Sequence, residues 1–174
     1  MLFWKKEKQI LPENRIANCT DLKTDCTEIK MILMHNEKDI LAKKVVEKML
    51  LTDEFSKWLG IEIIEIKDGY SKIKMTVRKE MINGFGTAHG GIAFSLADSA
   101  FAFACNSDGK MTVALDVSIS YPKAVKENDI LFAEAKQITK TNRTGLYLIE
   151  IKNQHNELVA LFKGTCYKTE KSLL

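Results

Sequence analysis

Between Ile61 and Arg78 hydrophobic and polar residues alternate with a period of two, and Asp68-Gly69 divides the stretch. That pattern predicts two strands, 61–67 and 70–78, joined by a tight hairpin turn. In the second, Ile73, Met75 and Val77 share one face and Lys72, Lys74 and Thr76 the other. The same period returns after residue 110 and predicts strands over 111–121, 129–139, 145–153 and 157–168. It is clearest in Val113, Leu115, Val117, Ile119 and Tyr121, which the alternation places on one face. Between the two sets of strands lies a helix over about 91–106 that has no polar stripe. Ile92, Ala93, Phe94, Leu96, Ala97, Ala100, Phe101, Ala102, Phe103 and Ala104 surround it, and Asn106-Ser-Asp-Gly109 ends it in turn chemistry. A helix apolar all round is buried on most sides. Strands before and after one buried helix define an α+β fold, with a curved antiparallel sheet wrapped around that helix.

Ahead of the strands, Asn36 can cap a helix whose apolar positions are Ile40, Leu41, Val45, Met49 and Leu50. After Thr52-Asp53 a shorter helical piece carries Phe55, Trp58 and Leu59 and closes at Gly60. Residues 1–33 hold no period and read as a loosely attached, flexible extension, so the organised domain is expected over 34–170. Met31 or Met34 could serve as the start.

Composition changes this picture little. A 174-residue chain with 45% hydrophobic and 28% charged residues is an ordinary globule with room for one core. A net charge of +3 is too small to imply nucleic acid. No apolar run approaches the roughly 20 residues of a membrane span. The opening Met-Leu-Phe-Trp-Lys-Lys has its charge after its apolar stretch, unlike a secretory signal. The four cysteines, at 19, 26, 105 and 166, form no Cys-x-x-Cys pair and read as reduced thiols of a cytoplasmic protein. Histidines 35, 89 and 155 are too scattered for a metal site.

Candidate chemistry is concentrated in residues 83–98, Asn-Gly-Phe-Gly-Thr-Ala-His-Gly-Gly-Ile-Ala-Phe-Ser-Leu-Ala-Asp. Two glycines at the head of a helix leave its first N–H groups open to an anion or a carbonyl oxygen. Asp98 then places a single carboxylate on the apolar helix. A buried carboxylate is paired, protonated or functional, although hydrogen bonds to serines or to partner backbone would also explain it. His89 either transfers a proton or merely shapes the turn, and Asn83 either orients water or substrate or belongs to an Asn-Gly turn. Lys72, Lys74 and Arg78 read as a solvated face, and Asn142-Arg143-Thr144-Gly145 as a hairpin turn that could contact phosphate. Gly91 to Asp98 is nearly two helical turns, which is roughly 10 Å, and the Gly90 amide and Asp98 are no closer. They cannot meet one reacting atom within one chain, so a shared site requires at least a dimer.

Asn83-Gly-x-Gly-x-x-His-Gly-Gly91, followed by Leu96-Ala-Asp98 and Ala104-Cys-Asn-Ser107, resembles the hotdog-fold acyl-CoA thioesterases, most closely the PaaI-like subfamily of phenylacetate degradation. The likeness spans about residues 37–168 and includes Val159-Ala-Leu-Phe-Lys-Gly164. It implies a homodimer or a dimer-based homotetramer that hydrolyses aryl- or acyl-CoA thioesters, phenylacetyl-CoA among them. No cofactor, metal, nucleic acid or membrane is implied. By position, the resemblance makes the Gly90 N–H, with Gly91, an oxyanion hole. Asp98 of the other subunit becomes nucleophile or general base, Asn83 positions water or the carbonyl, and His89 holds the loop. Gly91, Arg143, Thr144 and Gly145 would bind substrate. Some relatives carry Ser or Thr where this chain has Ala114, which gives weight to direct attack by Asp98. A non-catalytic acyl-CoA-binding protein and a dehydratase of 3-hydroxyacyl thioesters are the alternatives.

Overall fold

A computed structural model describes residues 26–174, so Cys19 and the first 25 residues lie outside the account that follows. Helices α1 (Cys26–Thr52) and α2 (Glu54–Leu59) lead into strands β1 (Glu62–Lys67) and β2 (Tyr70–Thr76). A single 3-10 turn, Lys79–Met81, and a glycine-rich loop precede helix α3 (Gly90–Cys105). Strands β3 (Lys110–Ser120), β4 (Ile130–Lys140), β5 (Thr144–Lys152) and β6 (Leu158–Ser172) complete the chain. All six strands join one sheet in the order β1-β2-β4-β5-β6-β3, and every neighbouring pair is antiparallel. The expected α+β arrangement, with the sheet curved along a central helix, is what the structure shows. Among the described residues no helix is long and apolar enough to cross a membrane.

Helix α3 is the axis of the core. Leu96, Ala97, Ala100, Phe101, Phe103 and Ala104 are buried against Ile73, Leu131, Ala133, Ile149 and Phe162 of the sheet. Phe101 meets Tyr147 and Phe162 at ring centroids of 5.5 and 5.9 Å. The alanines keep the helix close to the strands, and Gly164 lies so near that a Cβ there would come within 2.8 Å of the Phe101 ring. Cys105 and Cys166 are buried free thiols at the far end of this core.

Three expectations need correction. Helix α1 begins at Cys26, ten residues ahead of the Asn36 cap. Its first part contains neither Gly nor Pro and is rich in Met, Leu, Glu and Lys, so intrinsic propensity carries the helix through Asn36. From Lys30 onward the sheet holds none of that part, because the first buried side chain among the described ones is Ala42. Helix α3, second, is not enclosed all round. Gly91, Phe94, Ser95, Asp98 and Ala102 follow helical spacing along one side, and none is fully buried.

The third correction concerns β3, whose alternation is broken by a β-bulge between Ala114 and Asp116. Upstream, Ala114 is opposite Cys166, whereas downstream Val117 is opposite Gly164, two positions on the same face of β6. One extra residue exchanges the faces. Val117, Ile119 and Tyr121 therefore share a face with Ala114, toward α3, and not with Val113. Strand β3 is also an edge of the sheet, and Val113, Leu115 and Tyr121 are 47%, 64% and 49% exposed.

Candidate active site

The loop between the 3-10 turn and α3 is built by its own residues. Asn83 Oδ1 accepts from the Phe85 N–H at 2.8 Å, and Asn83 Nδ2 donates to Thr87 Oγ1 at 3.2 Å. Its backbone N–H reaches Thr87 O at 2.8 Å. This is an Asx-type turn. Asn83 is committed to holding the loop, and the structure leaves little of its side chain free to orient a substrate. The Ala88 N–H then donates to Val125 O and the His89 N–H to Met81 O, at 2.8 and 2.9 Å. These bonds tie both sides of the loop to the body.

His89 is the N-cap of α3. Its Nδ1 accepts the Gly91 N–H at 3.0 Å, and its carbonyl accepts the Ile92 N–H at 2.9 Å. The sequence reading put the oxyanion donor at Gly90, with Gly91 beside it, and the two amides differ in the structure. The Gly91 amide is occupied by His89, whereas the Gly90 N–H has no acceptor among the described residues. That donor stands at the positive end of a sixteen-residue helix. Beside it is a cavity of about 260 Å³ walled by His89, Gly90, Ala93, Tyr121, Lys123 and Val159. The Tyr121 hydroxyl donates to Gly90 O at 3.1 Å.

Asp98 is half-buried on the uncovered side of α3. Burial raises its pKa above the ordinary aspartate value, and no hydrogen bond or cation among the described residues offsets that. The structure does not bring Asp98 and the Gly90 amide together within one chain, as helix geometry requires. Ala114 sits on the same face of β3 as Val117, level with Cys166 on β6, and offers no hydroxyl.

The β4–β5 hairpin lies at the opposite end of the molecule from Gly90. Thr144 and Val113 are both level with Tyr167 of β6, while Val159 of the same strand lines the Gly90 cavity. Eight residues of strand separate those levels, or roughly 26 Å. Arg143 is exposed at the hairpin tip, where Lys140 and Lys168 both donate to Asp108. Gly145 has a packing reason to lack a side chain. It is buried, and a Cβ there would come within 2.9 Å of Tyr147 and 3.1 Å of Cys166 Sγ. Arg78, read from sequence as part of a solvated face, donates to Leu59 O and Trp58 O at 3.0 and 2.7 Å and closes the end of α2. Sequence reasoning missed Tyr121 as a neighbour of Gly90, because nothing local signals a contact across thirty-one residues.

An antiparallel sheet along a central helix, with a His-Gly-Gly head and a carboxylate two turns on, defines a hotdog-fold thioester hydrolase. Comparison with known proteins agrees, and the chain belongs to the thioesterase superfamily, whose family pattern matches residues 85–160. Within it the chain is PaaI-like. The acyl-coenzyme A thioesterase PaaI of Escherichia coli is 42% identical over 120 residues, spanning 69% of this chain and 86% of that protein. The solved structure of E. coli PaaI, from the phenylacetic acid degradation operon, superposes with a TM-score of 0.76 at 39% identity, covering 77% of this chain and 97% of that one. A hypothetical thioesterase from Streptococcus pneumoniae, solved with coenzyme A, gives a TM-score of 0.62 at 29% identity over 64% of this chain and 88% of the other.

Proposed function

We propose that this protein hydrolyses acyl-CoA thioesters in a site shared by two copies of the chain, with aryl-acetyl groups such as phenylacetyl as the preferred acyl class. The observation that carries the reading is the free Gly90 N–H at the head of α3. It lies beside a cavity with both apolar and polar walls, while the only carboxylate of α3 faces an uncovered side two turns away. The Gly90 N–H polarises the thioester carbonyl and holds the oxyanion as it forms, a contribution often among the largest in acyl transfer. Asp98 of the partner subunit supplies the attack. As nucleophile it forms a mixed anhydride and expels the CoA thiolate, which takes a proton from solvent; water then cleaves the anhydride. As general base it takes the proton of an attacking water instead. With alanine at 114, no side chain there orients that water, which favours direct attack. His89 and Asn83 hold the loop and do not touch the reacting atoms.

Dimerisation rests on β3. The strand leaves one edge unpaired, its apolar side chains are exposed, and Phe94 and Asp98 of α3 are only partly covered beside it. Two such edges meeting antiparallel about a two-fold axis would bury those groups. They would also bring the Arg143-Thr144 end of one subunit level with the Gly90 end of the other, where Arg143 would contact CoA phosphates. Assembly of two dimers into a tetramer, and residence in the cytoplasm, belong to the same reading.

Release of free thiol from a panel of acyl-CoA esters by the purified protein tests the activity. Turnover is expected, fastest with aryl-acetyl esters. Binding without release would support a non-catalytic acyl-CoA-binding protein, and loss of water from 3-hydroxyacyl thioesters a dehydratase. Single-turnover hydrolysis in ¹⁸O-water probes the routes: label in Asp98 shows direct attack with the anhydride cleaved at its aspartyl carbonyl, and where label enters only the product acid, rapid-quench trapping of an acylated Asp98 distinguishes direct attack from general-base catalysis.

A further inference from the structure

Two consecutive glycines are a weak foundation for a preorganised donor, because glycine loses more backbone freedom on ordering than any other residue. A hydrogen-bond donor aimed at a developing charge is effective only if its direction is fixed beforehand. Besides the Ile92 N–H, which donates to His89 O at 2.9 Å and so holds the peptide that carries the Gly90 N–H, three bonds fix the peptides around Gly90. The His89 N–H donates to Met81 O at 2.9 Å and the Gly91 N–H to His89 Nδ1 at 3.0 Å, both from within the loop and its cap. The third is the Tyr121 hydroxyl, which donates to Gly90 O at 3.1 Å from the end of β3.

Tyr121 does more than donate. A Cβ built on Gly90 would lie 3.4 Å from Tyr121 Cζ and 3.5 Å from its oxygen, so the end of the ring rests on the Gly90 backbone. The same ring lines the cavity beside the Gly90 amide, together with Lys123 and Val159. Burial holds the phenol above its ordinary pKa, so it keeps its proton and remains a donor at neutral pH. The β-bulge in β3 makes this contact possible. Without the exchange of faces, residue 121 would point away from α3.

We infer that Tyr121 is a positioning residue of the hydrolytic site, a clamp from β3 that fixes the Gly90 peptides and thereby aims the Gly90 N–H at the thioester oxygen. This rests on the reading of Gly90 as the oxyanion donor. Because the clamp acts on the direction of a donor used in the transition state, its loss affects kcat more than KM.

The test is Tyr121→Phe, which keeps the ring and removes only the hydroxyl, assayed for thiol release beside wild type and Asp98→Asn. Tyr121→Phe is expected to lower kcat by about 3- to 10-fold, the rate equivalent of one neutral hydrogen bond, with KM changed less than about 2-fold. In the folded variant the Gly91 amide should exchange with solvent faster, while amides in β4 and β5 keep wild-type rates. Tyr121→Met, which offers no donor, should show the same split if Tyr121→Phe assembles poorly. Slow exchange of the Gly91 amide in the wild-type protein is required whatever the variants do. Wild-type kcat in Tyr121→Phe, a rise confined to KM, or a fast-exchanging Gly91 amide in wild type would overturn the clamp. Absence of hydrolysis in wild type, or full activity in Asp98→Asn, would overturn the proposed reaction instead.

Discussion

Asp98 carries opposite consequences for stability and for turnover. Its pKa is raised by burial, so the unfolded chain ionises near the ordinary value of about 3.9 while the folded chain still holds its proton. Stability is greatest while both states are protonated, and it falls as pH rises from that value through the higher folded pKa. Asp98→Asn is therefore expected to melt above wild type at pH 7, with the difference closing below about pH 4. The same substitution should lower kcat by about 10²- to 10⁴-fold with little change in KM, as for loss of an acid–base group. Thermal scans across pH and steady-state kinetics check the two halves separately. Packing sets a different expectation at the glycines. Gly164→Ala forces a Cβ against Phe101 and should cost about 1–3 kcal/mol in denaturant melts, whereas Gly84→Ala meets nothing within 4 Å and should stay within about 0.5 kcal/mol. At this scale the sequence showed where the donors and the carboxylate lie, because Gly-Gly at a helix head and Asp in an apolar helix are local signals. Which amide is free was not legible, since that depends on the rotamer of His89. Nor was the packing of Gly145, set by Tyr147 two residues on and by Cys166 across a neighbouring strand.

Elements followed their periods where burial was one-sided. Strands β1, β2, β4 and β5, the Asp68-Gly69 hairpin and the α2 stop at Gly60 lie where alternation and turn residues put them. The bulge in β3 escaped because an unbroken hydrophobic alternation through Leu115 looks the same with or without an extra residue. Helix α1 escaped for another reason, since its first part is helical by propensity and residues 30–38 are exposed, leaving no periodic pattern to betray it. Met31, Ile32, Leu33 and Met34 are each more than half exposed on it. A chain beginning at Met34 should therefore keep its melting temperature within about 2 °C and retain its hydrolytic rate, because residues 30–33 contribute no burial. Aggregation of that shortened chain, or loss of activity, would show that the extension packs against something that a single chain does not display.

For the whole molecule, the decisive expectation is complementation between defective copies. Asp98→Asn and Gly90→Pro each remove one half of a shared site, and a mixed dimer holds one site with both defects and one with neither. Proline at 90 removes the N–H but suits the first position of a helix, and His89 already has the extended backbone (φ −61°, ψ 134°) that a following proline favours. Two nearly inactive parents, unfolded together and refolded as a mixture, should recover up to roughly a quarter of wild-type activity if pairing is random. Verified mixed dimers without activity would mean that each site lies within one chain. No pattern within a single sequence displays the second subunit, so only the excess length of two helical turns between Gly90 and Asp98 hinted at it.

The unpaired edge of β3 has a consequence for the life of the chain before assembly. From Lys110 to Ser120 the strand carries only two charges, Lys110 at its start and Asp116 beside the bulge, among exposed methionine, valine and leucine. Until it meets its match, that edge is a template for any extended polypeptide in reach. Refolding yield should then peak at intermediate protein concentration. At high dilution partners are scarce, and in dense solution wrong partners arrive first. Asp116, a charge set at the kink of this edge, is the natural gatekeeper of that interval.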